Sequence, residues 1–408
     1  MIKENPMMKA VMYGAGNIGR GFIAPIFSSG GYKVTFIDVA EKIVESLKEQ
    51  GAYPVRLLSN DGFEEVWIEG VSAVNGADEQ NVTDSIADAD IMATAVGVRV
   101  LPLIAPMIAG GLKKRFQFND NPLNIIVCEN LIDADKYLAG LIKENLDGHE
   151  AMLLEERVGF VEASIGRMVP IQTPEMQEGN ILRVCVEKYP FLPVNKDAFV
   201  GPMPKIEGIL PFGNFDFFIQ RKLFIHNMGH AICAYMGQLL GDTYISEAAA
   251  RADVLFIMQN AMTESALALH GKFNFPLQDI LQHVRDLLCR FNNRALKDTC
   301  ARVGADIERK LGTADRLIGA ILCCKGQGVT PAFISIGAAA ALYCLLKERG
   351  LPGTEENAGA ILEEISKLEK DSDEVKLILY MYLEIAKGAK PGELIQAALR
   401  LGNKAGVV

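Results

Sequence analysis

Three polar side chains in the second half of the chain, Lys222, Asn227 and His230, have the chemistry that alcohol oxidation needs. This reaction requires a base for the hydroxyl proton, hydrogen-bond donors for the developing alkoxide and an acceptor for hydride. A lysine whose pKa is lowered by burial can be the base, Asn227 can donate its amide, and His230 can fix the substrate oxygen or orient the lysine. Positions zero, five and eight of an α-helix lie at about 0°, 140° and 80°, so the three side chains are expected on one broad face. This chemistry does not need a zinc ion.

A glycine-rich motif near the start of the chain follows a predicted strand over 9–13 and opens a predicted helix over 17–28. The motif consists of Gly14, Ala15, Gly16, Asn17, Ile18 and Gly19. The first glycine permits a tight turn, the second lets the backbone approach a pyrophosphate, and the third allows close packing of helix on strand. Amides at the helix N-terminus would face the anion. The motif therefore predicts a dinucleotide site.

Two strand ends extend this predicted cofactor site. Asp38 ends a predicted strand over 32–38, where a carboxylate can accept hydrogen bonds from the adenosine ribose and repel the 2'-phosphate of NADP. Lys42 follows, but no arginine lies close behind, so NAD is favoured over NADP. Thr94, Val96 and Gly97 end a buried strand with small residues that would let the cofactor lie against the backbone.

The distribution of strands and helices indicates two domains. The first part alternates short β-branched runs with helices, which predicts a Rossmann-type α/β domain with a parallel sheet. Segments 53–59 and 65–74, separated by Asn60-Asp61-Gly62, predict an inserted hairpin. Further buried strands are expected over 91–96 and 124–128, with another extended segment over 182–194.

The composition changes in the proline-containing stretch 201–213, so we expect domains over 1–205 and 206–408. The second should be mostly α-helical, because apolar residues there recur at three-and-four spacing. Predicted helices cover 221–240, 246–270, 277–291, 333–348, 354–368, 373–387 and 391–401.

Charge and composition exclude several classes of protein. The net charge of −10 opposes a nucleic-acid partner, because neutralising phosphates requires a basic face. No apolar run reaches the roughly 18 residues that span a bilayer, and residues 1–6 lack the apolar stretch of a signal peptide, so we expect a cytoplasmic protein. The eight cysteines form no Cys-x-x-Cys pair, so a structural zinc site is not expected. His226 and His230 have a metal-binding spacing, but no third ligand accompanies them.

The spacing Lys222-x4-Asn227-x2-His230 resembles the signature of the polyol-specific long-chain dehydrogenases and reductases. Other segments that resemble blocks of this family, in the same order, are 14–22, 94–97, 127–130, 159–162, 167–170 and 302–311. The resemblance implies a Rossmann domain, a helical substrate domain and Lys222 as general base. It also implies that Asn130, just after the predicted strand over 124–128, is a second asparagine that stabilises the oxyanion. It implies self-contained subunits, which favours a monomer and leaves a dimer open.

The segment 221–224 and the chain length resemble the branch of this family that acts on a polyol phosphate. A phosphate needs Arg or Lys donors. The candidates, grouped around a predicted bend at 292–293, are Arg290, Arg294, Arg302, Arg309 and Lys310. Ala305 and Gln220 depart from that branch, where an arginine and a glutamate are usual. A free polyol or a hexonate as substrate, and a non-catalytic NAD-binding regulator, therefore remain alternatives.

Overall fold

The computed structural model describes residues 7–404, so the segment 1–6, assessed for a signal peptide, lies outside the described residues. Two compact units make up the chain, and the first ends at Phe215 while the second begins at Asp216. The sequence placed this boundary after residue 205. The first unit extends further because the strand Ile209–Phe212 pairs in parallel with the strand Leu192–Asn195.

The N-terminal unit combines strands and helices. Its strands are β1 (Lys9–Tyr13), β2 (Lys33–Asp38), β3 (Ala52–Ser59), β4 (Gly62–Glu69), β5 (Val71–Asn75), β6 (Ile91–Thr94), β7 (Leu123–Val127), β8 (Val158–Glu162), β9 (Val184–Glu187), β10 (Leu192–Asn195) and β11 (Ile209–Phe212). Its α-helices are α1 (Ala24–Ser29), α2 (Glu41–Gln50), α3 (Glu79–Ala87), α4 (Leu101–Phe116), α5 (Ala134–Lys143), α6 (Gly148–Arg157) and α7 (Pro174–Gln177). A π-helical segment, Gly19–Ile23, precedes α1.

The main sheet has six parallel strands in the order β5-β2-β1-β6-β7-β8. Both of its faces are covered, because Ala10 and Met12 of β1 belong to one hydrophobic cluster, whereas Val11 and Tyr13 belong to another. The chain leaves β1 towards β2 on one side and reaches β6 on the other. In such sheets ligands bind at the carboxyl ends of the strands where the order reverses, which here are β1 and β6.

The predicted hairpin exists, but it does not belong to the main sheet. β3 and β4 pair antiparallel, with β9 as the third strand of a separate sheet. The prediction of one strand over 65–74 was wrong, because Gly70 adopts a left-handed conformation with φ of +69° and divides the segment into β4 and β5. β5 pairs in parallel with β2 at the edge of the main sheet.

The described residues of the C-terminal unit form helices and no extended sheet. The α-helices are α8 (Asp216–Arg221), α9 (Met228–Leu240), α10 (Ile245–Ala249), α11 (Ala252–Phe273), α12 (Leu277–Phe291), α13 (Cys300–Gly304), α14 (Ile307–Lys310), α15 (Ile318–Gly326), α16 (Ala332–Glu348), α17 (Glu355–Ser366), α18 (Asp373–Ala386) and α19 (Pro391–Lys404). A π-helical turn, Lys222–Asn227, joins α8 to α9.

The core of this unit is built around α16, whose first fifteen residues include thirteen buried ones. A methyl group at Gly337 would overlap Cγ1 of Ile232, so α9 and α16 approach each other closely there. The predicted single helix over 246–270 is two helices, since Arg251 has extended backbone angles between α10 and α11. Within residues 7–404, no helix combines the length and the apolar character that crossing a membrane requires.

Candidate active site

The glycine-rich loop lies at the carboxyl end of β1, where the strand order reverses. Gly14 has φ of +103°, and a methyl group on it would lie 2.5 Å from the carbonyl oxygen of Ala95. A methyl group on Gly19 would overlap the carbonyl oxygen of Gly14. Gly16 differs, because no described atom lies within 4 Å of the position that its methyl group would take. The two outer glycines are therefore required by packing, and the middle one leaves the backbone open to a ligand.

Asp38 holds this loop from the side of β2. Its Oδ2 accepts a hydrogen bond from the backbone N–H of Ala15 at 2.6 Å, and its Oδ1 accepts one from Ala40 at 2.9 Å. Carboxylate oxygens have further lone pairs, so Asp38 can still accept hydrogen bonds from a ribose. The predicted cofactor carboxylate thus lies directly against the predicted pyrophosphate loop.

Arg20 holds the loop from the opposite side and was not identified from the sequence as a functional residue. Its buried guanidinium donates from Nε to the carbonyl oxygen of Ala15 at 2.6 Å and from Nη1 to that of Leu182 at 2.6 Å. The hydroxyl of Tyr53 donates to the carbonyl oxygen of Arg20 at 2.8 Å. Ala15 is therefore fixed through both its N–H and its carbonyl group.

The loop after β6 is held by Glu129, another residue that sequence reasoning did not single out. The buried carboxylate accepts hydrogen bonds from the backbone N–H groups of Val96 at 2.9 Å and Gly97 at 2.8 Å. Gly97 has φ of +91° and no described atom near the position of a side chain. Thr94 is fully buried at the end of β6, and Asn130 is exposed directly after Glu129.

These features fit a nicotinamide dinucleotide. The backbone is open at Gly16, where amides of the following helix can face an anion, and open again at Gly97 across the reversal of strand order. The carboxylate of Asp38 ends β2 beside the glycine-rich loop, at the place that recognises an adenosine ribose in such folds.

The lysine and asparagine of the C-terminal unit lie on a π-helical turn, so the expectation of an α-helical face over 222–230 was wrong in its geometry. The turn covers Lys222–Asn227, and the N–H of Met228 donates to the carbonyl oxygen of Leu223, five residues earlier. Because hydrogen bonds in a π-helix join residues five apart, Lys222 and Asn227 lie closer to one side of the axis than they would in an α-helix. Both are partly exposed, whereas residues 224–226 between them are buried.

His230, in the first turn of α9, is oriented by an aromatic ring and a carboxylate. Its ring stacks on Phe291, with centroids 4.9 Å apart and planes at 10°. Its Nε2 lies 3.4 Å from Oδ2 of Asp298, an ion-pair distance without hydrogen-bond geometry. Arg302 binds the same carboxylate through two hydrogen bonds of 2.6 Å. Burial alone would raise the pKa of Asp298, but His230 and Arg302 outweigh burial and lower the pKa to about 2. Asp298 is thus ionised beside His230 and helps to orient its ring.

His226 packs beside this arrangement, with its ring centroid 5.8 Å from that of Phe291. It is buried, and burial, followed by the charge of Arg290, lowers its pKa well below the ordinary value. Its ring centroid is 6.2 Å from that of His230. In the part of the chain that the structure describes, no group of three His, Cys, Asp or Glu side chains is placed to hold a metal ion.

The five basic residues predicted to bind a phosphate do not form one cluster of available cations. Arg302 is paired with Asp298, and Arg309 pairs with Asp315 at 2.6 Å. Arg290 lies 3.3 Å from Asp286, and Arg294 is exposed.

Lys310 differs from these four because it is a buried lysine beside two arginines. Burial, and then the charges of Arg316 and Arg309, lower its pKa to about 8. Asp298 lies four residues before Arg302, which is a helical pairing spacing, whereas Asp315 lies six residues after Arg309 and has no such spacing.

Comparison with known families gives matches in both units. The model described as the Mannitol dehydrogenase Rossmann domain matches residues 8–208, and that of the Mannitol dehydrogenase C-terminal domain matches residues 214–378. The chain belongs to the mannitol dehydrogenase family. It is an oxidoreductase of this family, and the resemblance inferred from the Lys222 to His230 signature is confirmed.

Relatives in this family are similar over most of the chain. A mannitol-1-phosphate 5-dehydrogenase of Brevibacillus brevis is 37% identical over 88% of this chain and 96% of its own length. One from Geobacillus thermodenitrificans is 38% identical over 76% and 80%, respectively.

Solved structures show the same fold at low sequence identity. The Pseudomonas fluorescens mannitol 2-dehydrogenase, in a ternary complex with NAD and D-mannitol, matches with a TM-score of 0.77 at 16% identity, covering 96% of this chain and 94% of that one. A D-sorbitol dehydrogenase in substrate-free form matches with a TM-score of 0.76 at 16% identity, covering 94% of both chains.

The lowered pKa of Asp298 predicts how its stabilising effect changes with pH. Since the folded-state pKa of about 2 lies below the ordinary 3.8, the contribution is complete well above pH 4 and decreases as the pH falls towards 2. We expect Asp298→Asn to reduce the free energy of unfolding by about 2 kcal/mol at pH 6 and by roughly half of that at pH 3. Urea unfolding at both pH values measures this, with the exposed Asp371→Asn as control. A destabilisation that is equal at both pH values would contradict the interpretation.

Proposed function

We propose that this chain catalyses the reversible, NAD-dependent oxidation of D-mannitol 1-phosphate to D-fructose 6-phosphate, with Lys222 as general base and without a metal ion. The observation that carries the proposal is the π-helical turn that puts Lys222 and Asn227 on one side, with His230 on the helix that follows. The substrate is proposed because relatives 37% and 38% identical are named mannitol-1-phosphate 5-dehydrogenases. NAD is proposed on the glycine-rich loop and Asp38.

In the proposed reaction, the neutral amine of Lys222 accepts the proton of the secondary hydroxyl. The side-chain amides of Asn227 and Asn130 donate hydrogen bonds to the oxygen as negative charge develops on it. His230, held by Phe291 and Asp298, fixes the position of that oxygen. NAD, when bound, supplies the acceptor for hydride. In the reverse direction the ammonium group of Lys222 returns the proton.

The residues proposed to hold the cofactor share the carboxyl edge of β1, β2 and β6. They are Gly14, Ala15, Gly16, Asn17, Ile18, Gly19, Asp38, Thr94, Val96 and Gly97. Among them, Gly16 and Gly97 present open backbone, and Asp38 presents a carboxylate. Backbone amides suit the pyrophosphate, and the carboxylate suits the ribose hydroxyls.

The proposed phosphate contact has five candidate residues, and these residues differ in how available their charges are. Of the five candidates we favour Lys310 for the phosphate contact, because its ammonium is buried beside Arg309 and Arg316. Arg302 and Arg309, by contrast, already bind carboxylates, and Ala305 lacks a basic side chain. A free polyol or a hexonate is therefore the alternative substrate class.

The choice among substrates has a direct test. We expect NADH consumption with fructose 6-phosphate to exceed that with fructose by at least about tenfold in kcat/KM, because a charge-assisted contact to phosphate contributes roughly 1.5 to 3 kcal/mol. Tagaturonate and fructuronate complete the panel, and all assays are repeated after treatment with a chelator. Preference for a hexuronate would indicate that the protein acts on a hexonate and belongs to another branch of the family. Activity lost to chelator and restored by zinc would remove the lysine mechanism, and NADH binding without any turnover would indicate a regulator.

Replacing the proposed base tests the mechanism. We expect Lys222→Ala to lose at least roughly 100-fold in kcat, the usual scale for a general base, while NADH affinity and thermal stability stay close to wild type. The exposed Lys347→Ala serves as the matched control and should retain full activity. Near-normal turnover of a correctly folded Lys222→Ala protein would falsify the assignment.

Cofactor preference should depend on Asp38. Asp38→Ala removes a ribose acceptor and a charge that repels the 2'-phosphate, so we expect weaker NAD binding and a smaller gap to NADP. Asp38→Asn also removes the charge, but its NH2 group would face the backbone N–H of Ala15 or Ala40, so it should narrow the NADP gap and weaken NAD binding as well. Michaelis constants for both cofactors, measured for both variants, decide the point. Unchanged constants would show that Asp38 does not contact the ribose.

A further inference from the structure

The loop after β6 faces the reversal of strand order, yet its two successive N–H groups at Val96 and Gly97 point to a carboxylate of the chain itself. We propose that Glu129 is a positioning residue that fixes this loop and thereby sets the affinity for the dinucleotide. The inference rests on the proposed function for the identity of the cofactor.

The geometry of the carboxylate supports a positioning role. Each of its oxygens accepts one hydrogen bond, at 2.9 Å from Val96 and 2.8 Å from Gly97, and the side chain is buried. Gly97 is left-handed, with φ of +91°, so the loop bends sharply where Glu129 holds it. Two charge-assisted hydrogen bonds in a buried place offset the cost of this bend.

The loop transmits its position to the glycine-rich motif. The N–H of Ala95 donates to the carbonyl oxygen of Tyr13 at 2.9 Å, and the carbonyl oxygen of Ala95 lies against Gly14, where a methyl group would be 2.5 Å away. A displacement of the loop at Val96 and Gly97 would therefore push Ala95 into Gly14 or withdraw it. The position of Ala95 against Gly14 is therefore linked to the two hydrogen bonds of Glu129.

The isosteric variant Glu129→Gln separates the carboxylate from its shape. An amide can accept from one N–H, but its own NH2 group would face the second N–H, so one bond is replaced by a repulsive contact. The chain contains a matched control in the other unit. Glu264 also accepts two hydrogen bonds from successive N–H groups, those of Phe333 at 2.9 Å and Ile334 at 3.0 Å.

The experiment measures NADH binding by fluorescence titration and thermal unfolding without cofactor, for Glu129→Gln and Glu264→Gln. We expect Glu129→Gln to raise the Kd for NADH by at least about tenfold, because the loss of a hydrogen bond to a charged group has that scale. Burial raises the pKa of Glu264 to about 8, so Glu264→Gln need not match Glu129→Gln in Tm, but it should leave the Kd for NADH unchanged.

Two results would overturn the inference. One is a Kd for NADH that Glu129→Gln leaves within about twofold of wild type. The other is a rise in Kd that Glu264→Gln reproduces, because general destabilisation would then explain it. Failure of the proposed function is a separate outcome, since the binding titration remains informative when fructose 6-phosphate is not a substrate.

Discussion

The close approach of Gly14 to the carbonyl group of Ala95 is the constraint on which the cofactor half of this molecule depends. It brings the ends of β1 and β6 together at the point where the strand order reverses, and any side chain on Gly14 would separate them. The surrounding chain fixes both partners of the contact. Asp38 and Arg20 hold Ala15 on one side, and Glu129 holds Val96 and Gly97 on the other. The glycine motif is therefore shaped by charged groups from β2, from the helical segment after β1 and from the loop after β7, of which Arg20 and Glu129 are buried.

Local chemistry made the core of this site predictable from the sequence. A strand over 9–13, a glycine-rich turn and a helix form one continuous pattern, and Asp38 ends the next strand along the chain. The alternating first half and the helical second half follow from periodicity, which is set by the burial of one or two faces. The lysine, asparagine and histidine were recognisable because their residue types and spacing match a known chemistry.

What could not be predicted depends on tertiary contacts and on the local backbone conformation. In the sequence Glu129 cannot be distinguished from other carboxylates, because its contact with the loop after β6 forms only in the folded chain. Arg302 pairs with Asp298 four residues earlier, so the presence of a basic residue does not by itself show that its charge is available to a phosphate. The split of segment 65–74 came from one left-handed glycine, because Gly70 has a conformation that hydrophobic pattern does not encode.

The π-helical turn at Lys222–Asn227 gives a structural reason for the spacing of these two residues in the signature. Had the same residues formed a regular α-helix, Lys222 and Asn227 would be separated by about 140° around the axis. The spacing of four residues between them therefore reflects the π-helical backbone as well as the chemistry of the two side chains. In an undistorted helix the same residues would place Lys222 and Asn227 further apart around the axis, and removing one residue between them would rotate α9 relative to α8 while Lys222, Asn227 and His230 all remained present.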